Sequence, residues 1–360
     1  MMPLTEILDL ARWAPSGDNT QPWRFAIDGN DRVAVFGHDT RAHCVYDLDG
    51  HPSQISLGAL LETITIAATR FGLGVQIARR AGSPDERPVF DVAFREVTGL
   101  AASPLVAHIR DRTVQRRPLS LRRLSEPERQ ALARSVGPDF RVLWFESLPR
   151  RFEMAWLNFT SAKIRLTIPE AYRVHRDVIE WDAQSSEDRI PDAALGAGAP
   201  TLLLMRWAMA SWERIDFLNR YFAGTLAPRI ELDLVPGLAC AAHCVFVANK
   251  VPRVLDDHVA AGRALQRFWL TATSLGLQFQ PQYTPLVFAR YAREGVRFSA
   301  SEHATPRAEA IRVALDRLLG SDIAPRAVFM GRIGAGKPAR ARSLRLPLER
   351  LLKPDVKQKS

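Results

Sequence analysis

The sequence predicts an α+β fold built from two related halves. Residues 4–13 place apolar side chains at the three- and four-residue spacing of an amphipathic helix, and a strand pattern follows at residues 22–27. Two nearly continuous apolar helix patterns, residues 58–73 and 262–277, each end near a glycine suited to a helix C-cap. An apolar strand pattern that turns into a glycine-rich loop lies at residues 328–334. Helices and strands thus occur in both halves of the chain, which is typical of an α+β protein.

The composition is that of an ordinary globular protein. The chain has 360 residues, 47% hydrophobic and 24% charged, and is long enough for two domains. Its net charge of +10 comes from scattered Lys and Arg with little aromatic interleaving, so we do not expect nucleic-acid binding. The sequence shows no apolar run of the ~20 residues that a membrane helix needs, no signal-peptide pattern, and too few cysteines for a disulfide framework. We therefore expect a cytoplasmic protein that does not bind membranes.

The first helix leads into a polar loop at residues 14–25. Pro15 stops the helix, and Gly17 permits a backbone with positive φ. Four further residues of the loop carry hydrogen-bonding groups: Ser16, Asp18, Asn19 and Gln21. A simple helix C-cap and turn would explain any one of these residues, but it does not explain the complete twelve-residue string.

This loop, APSGDNTQPWRF in one-letter code, resembles the APSxxNxQPWxF loop of the FMN-dependent nitroreductase family. The resemblance implies a mixed, mainly antiparallel sheet flanked by helices. It also implies that the loop of one subunit lies against the isoalloxazine ring of an FMN bound mainly by the other subunit. The loop residues expected at the cofactor are Pro15, Ser16, Gly17, Asn19 and Gln21.

The two apolar helix patterns resemble each other and the central helix of that family, so we interpret them as copies of an internal duplication. Residues 1–104 then form a first nitroreductase-like half and residues 105–360 a second, as in the single-chain, pseudo-dimeric Acg-like members that the chain resembles. The first copy has no room for the family's phosphate-binding start. The second copy lacks the Asn and Gln of the ring-edge loop at residues 135–140. The halves are therefore complementary, and we expect one FMN per chain.

The second half carries the arginines expected at the FMN phosphate. Residues 112–119 resemble the family's Arg-Ser-x-Arg segment and precede a helix with a capping box at residues 125–128. Residues 342–348 resemble the family's closing Arg-x-Pro segment. A solvated surface charge is the alternative for any single arginine. The resemblance implies a phosphate site made by Arg112, Thr113, Arg116 and Arg345, with Arg117 and Arg342 as the alternatives in register.

Residues 278–285 follow the second apolar helix and resemble the segment that passes the reactive nitrogen of the flavin in the family. Tyr283 and Thr284 are accordingly candidate flavin-binding residues. Family members often carry an acidic residue here, whereas this chain has Gln282 and Tyr283. That departure leaves the redox tuning of the flavin open.

Two further motifs suggest other chemistry by their spacing alone. Residues 331–337 fit the spacing of a P-loop, but Pro338 stands where the Mg²⁺-binding hydroxyl should be. Cys240, His243 and Cys244 lie close together in the sequence, but their surroundings are apolar. Small buried thiols are therefore favoured over a metal site.

The expected function is an FMN oxidoreductase that passes hydride from NAD(P)H to a small-molecule acceptor, such as a nitroaromatic or a quinone, with no catalytic side chain.

An aromatic-rich insertion at residues 150–234 is either core packing or a lid over the cofactor. One alternative function is therefore sequestration of FMN under a closed lid, without turnover. Another is a flavin-free interaction protein with a vestigial site. Because the duplication supplies the usual dimer within one chain, we expect a monomer or a weak homodimer.

Overall fold

The computed structural model describes residues 2–353, so the ends of the two expected halves, residue 1 and residues 354–360, lie outside the described residues. The helices are α1 Leu4–Ala11, α2 His51–Thr69, α3 Glu126–Ser135, α4 Leu148–Arg165, α5 Pro169–Val178, α6 Ala199–Met209, α7 Trp212–Tyr221, α8 Leu226–Arg229, α9 Val235–Leu238, α10 Leu255–Ser274, α11 Thr284–Glu294, α12 Ala304–Leu319 and α13 Leu348–Leu351. The strands are β1 Trp23–Asp28, β2 Arg32–Gly37, β3 Leu73–Arg79, β4 Val89–Glu96, β5 Phe140–Phe145, β6 Ile179–Glu180, β7 Ser185–Ser186, β8 Ile190–Pro191, β9 Ala242–Ala248, β10 Leu277–Pro281, β11 Ala327–Ala335 and β12 Arg342–Ser343.

Two four-stranded antiparallel sheets, each covered by helices, confirm the predicted α+β class. The first sheet has the order β1-β2-β4-β3, and the second, taken from its β5 edge, has the order β5-β9-β11-β10. In both sheets the first strand pairs with the second, the second with the fourth, and the fourth with the third. The two halves therefore have the same topology, while the division of the chain at residue 104 stays a prediction.

The two long helices α2 and α10 cross at a pair of glycines. A Cβ atom on Gly58 would overlap the carbonyl oxygen of Val259, and one on Gly262 would overlap the carbonyl oxygen of Ile55. Ile55 and Val259 each precede their glycine by three residues, so the two contacts are equivalent under exchange of the helices. Glu62 of α2 is buried and forms ion pairs with two arginines of α10. Close backbone packing and ion pairs therefore join the halves.

The carboxyl-terminal segment returns to the first half. Lys353 N donates to Phe25 O of β1 at 2.7 Å, and Leu348 and Leu351 are buried in the core beneath the first sheet. Part of the second half is thus held against the loop that follows α1. This return is what brings residues 342–345 close to the loop.

Helices α4 to α9 and the short strands β6, β7 and β8 form the insertion between β5 and β9. Strand β7 pairs in parallel with β12, so the insertion is fastened to the carboxyl-terminal segment. Several of its aromatic side chains are exposed, among them Trp156, Trp207 and Tyr221. Among residues 2–353, no helix combines the length and apolar character needed to cross a membrane.

One expectation about the second sheet is wrong. The sequence pattern at residues 328–334 predicts a strand that turns into a glycine-rich loop, whereas the structure continues strand β11 to Ala335. The glycines serve packing, because a Cβ on Gly331 would overlap the ring of Phe279 on the neighbouring strand. The segment with P-loop spacing is thus largely buried strand.

Candidate functional site

A cavity of about 280 Å³ lies between the two halves and the insertion. Its wall is formed by the loop after α1, the first half of α2, the arm that begins at Arg112, the β8 region of the insertion, the α10–β10 region and the segment around β12. Ten of the twelve residues predicted to bind FMN line it: Pro15, Ser16, Gly17, Asn19, Arg112, Thr113, Arg116, Tyr283, Arg342 and Arg345. The other two, Gln21 and Thr284, do not line it.

The loop after α1 is held in an unusual backbone conformation. Asp18, Asn19 and Gln21 have φ values of 48°, 61° and 47°, and they are three of the five non-glycine residues with positive φ in the described chain. Each such conformation costs on the order of 1–3 kcal/mol and persists only where surrounding contacts enforce it. Such strain is concentrated at binding and catalytic sites.

Gln21 supplies contacts that enforce this conformation. Its backbone N–H donates to Ser16 Oγ at 3.0 Å, and its side-chain Nε2 donates to Glu187 O at 2.8 Å. Its Oε1 accepts from Leu346 N at 2.9 Å. The amide is fully buried and joins the loop, the insertion and the carboxyl-terminal segment. In this structure Gln21 positions the loop and lies outside the cavity wall.

Asn19 brings an unused acceptor to the cavity. Its Nδ2 donates to the carbonyl oxygens of Glu187 and Arg189 at 3.1 and 3.2 Å. Its Oδ1 is buried and finds no hydrogen-bond partner within residues 2–353. Because buried acceptors are rarely left unpaired, this atom is suited to a donor on a bound molecule.

The cavity wall contains a cluster of three arginines, Arg112, Arg342 and Arg345, that have no carboxylate partner within residues 2–353. Arg112 is 4% exposed and Arg345 is 8% exposed, yet within the described chain neither these two nor Arg342 forms a salt bridge. Arg112 donates to Trp13 O at 3.0 Å and Arg345 to Ala14 O at 3.0 Å, so backbone carbonyls hold the guanidinium groups. The Nε atoms of Arg112 and Arg342 are buried and find no hydrogen-bond partner in the part of the chain that the structure describes.

The electrostatics of this arginine cluster favour an anion. Burial, together with the charges of Arg345 and Arg342, holds the pKa of Arg112 well below its usual range. Burial, together with Arg342 and Arg12, lowers the pKa of Arg345 to about 9. Trp269, whose ring lies 4.4 Å from the Arg112 guanidinium carbon, offers partial compensation through a cation–π contact. A buried anion would relieve the remaining repulsion.

Arg116 lies in another part of the cavity wall than the resemblance implied. Its Nη1 donates to Ala194 O at 3.0 Å, and after burial the charges that perturb its pKa are those of Asp18 and Arg165. Burial raises the pKa of Asp18, while Arg116 and Arg165 lower it. Arg116 is thus electrostatically coupled to Asp18, and Arg342 joins Arg112 and Arg345.

The insertion covers one side of the cavity. Ile190 of β8 and Ala194 line it, and the backbone carbonyls of Glu187 and Arg189 accept hydrogen bonds from the loop. Trp181, one of the aromatic residues of the insertion, is not part of the wall. Sequence reasoning also missed Trp269 and Asp18 as wall residues, since a helix pattern and a loop string do not show which side chains face a cavity.

The cysteine and histidine group has a structural role. His243 is fully buried, with Nδ1 2.9 Å from Gln282 Oε1 and Nε2 2.7 Å from Gly237 O. Burial lowers the pKa of His243 to about 4 and raises that of Cys240 to about 11. Within residues 2–353, no group of three or more His, Cys, Asp and Glu residues is placed to hold a metal ion.

Comparison with known proteins adds little to this description. No protein-family model matches the chain. No curated protein matches it either. Among solved structures, it is similar to the nitroreductase-like family protein from Bacillus cereus, with 13% sequence identity, a TM-score of 0.35, and coverage of 71% of this chain and 97% of that one. We transfer no residue role or activity from that structure.

Proposed function

We propose that this chain binds one FMN between its halves and passes hydride from NAD(P)H through it to a small-molecule acceptor of the nitroaromatic or quinone type. The observation that carries the proposal is the cluster of buried Arg112 and Arg345 with half-buried Arg342, which has no carboxylate partner within the described chain and shares a cavity with the strained loop. The loop's resemblance to the nitroreductase family, including its Acg-like single-chain members, indicates which anion is expected. We also propose that the chain is a monomer or a weak homodimer.

The residues present fit FMN. A phosphate monoester presents several charged acceptors, and Arg112 and Arg342 each have a buried Nε–H that finds no partner among residues 2–353. The polar edge of an isoalloxazine ring carries both an N–H donor and carbonyl acceptors, and Asn19 Oδ1 offers an unused acceptor. Apolar wall residues suit the flat ring faces: Pro52, Ile55, Ala59, Leu265 and Phe329.

Each part of the site has a distinct task in this proposal. The arginine cluster holds the phosphate, with about 1.5–3 kcal/mol from each charge-assisted hydrogen bond. The loop that Gln21 positions orients the ring edge, and the β8 region of the insertion excludes water. Bound FMN supplies the hydride-accepting and hydride-donating chemistry. No side chain has to act as a nucleophile.

The enzyme function is tested by turnover. The purified chain, loaded with FMN and freed of excess cofactor, should consume NADPH or NADH steadily when a quinone is added. Consumption should stop when the flavin is removed and return when FMN is restored. A flavin-loaded protein that consumes neither nucleotide, with either a quinone or a nitroaromatic acceptor, would contradict the enzyme function.

Sequestration of FMN without turnover is the second candidate, and the position of the insertion favours it. Ile190 and Ala194 form part of the cavity wall, and the loop is hydrogen-bonded to the insertion at Glu187 and Arg189. If this cover stays closed, a nicotinamide ring cannot reach the flavin. The expected result is then a yellow protein whose flavin is not reduced by NADPH but is reduced by dithionite, a much smaller reductant.

A further inference from the structure

A half-buried tyrosine of the cavity wall, Tyr283, has a hydroxyl proton with no acceptor among residues 2–353. Tyr283 lines the cavity directly before helix α11, and its ring stacks on Phe329 with a centroid separation of 5.4 Å. Its hydroxyl oxygen accepts a hydrogen bond from Arg290 Nη1 at 3.3 Å. Because a guanidinium group can only donate, the tyrosine O–H remains available to an acceptor. Within residues 2–353 it has no acceptor in the protein.

Arg290 is fixed behind this hydroxyl by a carboxylate. Its Nε donates to Asp49 Oδ2 at 2.6 Å, and both side chains are 15% exposed. Tyr283 and Asp49 raise the pKa of Arg290 more than burial lowers it, so the guanidinium is charged throughout the working pH range. The cation therefore stands permanently beside the oxygen that would become negative if Tyr283 lost its proton.

Two neutral histidines lie beside the Asp49–Arg290 ion pair. The rings of His51 and His258 stack with their centroids 3.7 Å apart, and His51 Nδ1 lies 3.4 Å from Asp49 Oδ2. Burial, with the charge of Arg290 among the further causes, lowers the pKa of each to about 3. Near neutral pH both rings are therefore uncharged. They do not compete with Arg290 for the carboxylate of Asp49.

We propose that Tyr283 is the proton donor of the cavity and that Arg290, held by Asp49, stabilises the tyrosinate that results. This inference rests on the proposed function. When a quinone accepts hydride originating from NAD(P)H, it becomes a hydroquinone monoanion and the nucleotide becomes NAD(P)⁺. The O–H bond of Tyr283 then breaks, and its proton goes to the anionic oxygen to give the neutral hydroquinone. The tyrosinate recovers its proton from water, which returns the site to its starting state.

The pKa of Tyr283 depends on several groups that face it. This pKa lies above its ordinary value, because burial and the carboxylates of Asp49 and Asp47 raise it more than the charge and hydrogen bond of Arg290 lower it. Removing the Arg290 cation should therefore move the ionisation of the Tyr283 hydroxyl to higher pH. Arg290→Lys keeps a cation and should restore part of the shift, because an ammonium group lacks the planar fork that contacts both Tyr283 and Asp49.

The first test separates the two half-reactions of the FMN-loaded full-length chain by stopped flow. Tyr283→Phe keeps the stacked ring and removes the hydroxyl, and Tyr46→Phe is the matched control. Tyr46 also carries a hydroxyl group, whose oxygen lies 3.0 Å from His175 Nε2, but Tyr46 does not line the cavity. In Tyr283→Phe, flavin reduction by NADPH should be unchanged, while reoxidation by a quinone should slow by about 10²-fold or more and lose its solvent deuterium isotope effect. Tyr46→Phe should behave as wild type.

The second test needs no turnover. Tyrosinate absorbance is followed during pH titration of the flavin-free chain, and the Tyr283→Phe curve is subtracted to give the ionisation of Tyr283 alone. This ionisation should move to higher pH in Arg290→Gln and return toward wild type in Arg290→Lys. Thermal unfolding of each variant checks that the fold is kept.

The outcomes distinguish the two proposals. Wild-type reoxidation kinetics and an unchanged isotope effect in Tyr283→Phe would overturn Tyr283 as proton donor, even if the chain is an active FMN oxidoreductase. A Tyr283 ionisation that Arg290→Gln leaves in place would overturn the role of Arg290. A wild-type chain that binds no FMN or shows no turnover overturns the proposed function instead, and the titration still decides on the Tyr283–Arg290 pair.

Discussion

At the scale of single residues, the candidate site is defined by side chains whose polar atoms the protein leaves unpaired. Arg112 has a buried Nε–H without a partner, and Asn19 has a buried Oδ1 without one among the described residues. Most buried polar atoms of a native protein are paired, so unpaired ones in a cavity wall indicate a ligand. The two atoms also differ in chemistry, since one donates beside a positive charge and the other accepts.

Arg112→Gln should weaken FMN binding strongly. The substitution removes a buried cation and at least one charge-assisted hydrogen bond, each of which contributes about 1.5–3 kcal/mol, so we expect a loss of roughly 10–100-fold in affinity. Arg117→Gln is the matched control, because Arg117 is an exposed neighbour on the same arm that does not line the cavity. Fluorescence titration of FMN measures both. Equal losses in the two variants would contradict the assignment of Arg112.

Gln21→Ala should destabilise the loop rather than remove a ligand contact. The variant leaves the buried N–H of Leu346 without its acceptor, at a cost of about 1–3 kcal/mol for an unsatisfied group. It also removes one of the two side-chain donors to the carbonyl of Glu187, which keeps its hydrogen bond from Asn19. Urea unfolding should show the loss without added FMN. Thr20→Ala is the control, since it removes the exposed hydrogen bond from the Thr20 hydroxyl to Gly17 O and keeps the backbone hydrogen bond to the same oxygen. A Gln21→Ala chain as stable as wild type would contradict the role of Gln21 in positioning the loop.

At the scale of elements, the crossing of α2 and α10 depends on two glycines. Gly58→Ala would place a methyl group against the backbone of Val259, so the helices must separate. We expect a loss of about 1–3 kcal/mol in the free energy of unfolding, the usual range for overpacking. Gly17→Ala is the control because a Cβ there meets no atom within 4 Å. Equal stabilities of the two variants by urea unfolding would contradict this packing.

Local sequence patterns predicted which elements form better than they predicted the first and last residue of each element. The helix pattern at residues 58–73 corresponds to α2, which begins seven residues earlier at His51, and the pattern at 262–277 corresponds to α10, which begins at Leu255. The first turns of both helices contain polar residues that interrupt the apolar pattern, such as the half-buried His51 and the buried His258. The capping box at Ser125 and Glu128 was predicted and is confirmed.

The site was predictable where the residues lie in one continuous string. Residues 15–19 line the cavity as one segment, because a short loop keeps neighbouring residues together. The partners of Arg116 and Gln21 were not predictable. Both side chains bind residues of the insertion that lie more than 75 positions away in the sequence. Arg342 was only an alternative in register to Arg345, and the pairing of β12 with β7 brings both to the cavity.

At the scale of the whole molecule, histidines that full or partial burial keeps neutral should make the fold sensitive to acid. Burial lowers the pKa of His51, His175 and His258 to about 3 from an ordinary value of 6.5. Below that ordinary value the unfolded chain binds protons that the folded chain does not, so stability falls as the pH drops from about 6.5 toward about 3.

Urea unfolding at a series of pH values measures this effect. The free energy of unfolding should fall steadily as the pH drops through this window, and His258→Leu should show a shallower dependence than wild type. His43→Gln is the control, since His43 is exposed. A wild-type stability that does not change between about pH 7 and about pH 4 would contradict the prediction.

Two halves of equal topology contribute unequal parts to one cavity. The first half provides the strained loop, and the second provides the arginine cluster, which the carboxyl-terminal return holds against that loop. We therefore predict a single cofactor for two similar halves.

Titration of the purified full-length chain with FMN tests this claim most directly. The chain is first freed of bound flavin, and binding is followed by absorbance and calorimetry. We predict saturation at one FMN per chain; saturation at two, or no binding at all, would contradict the account.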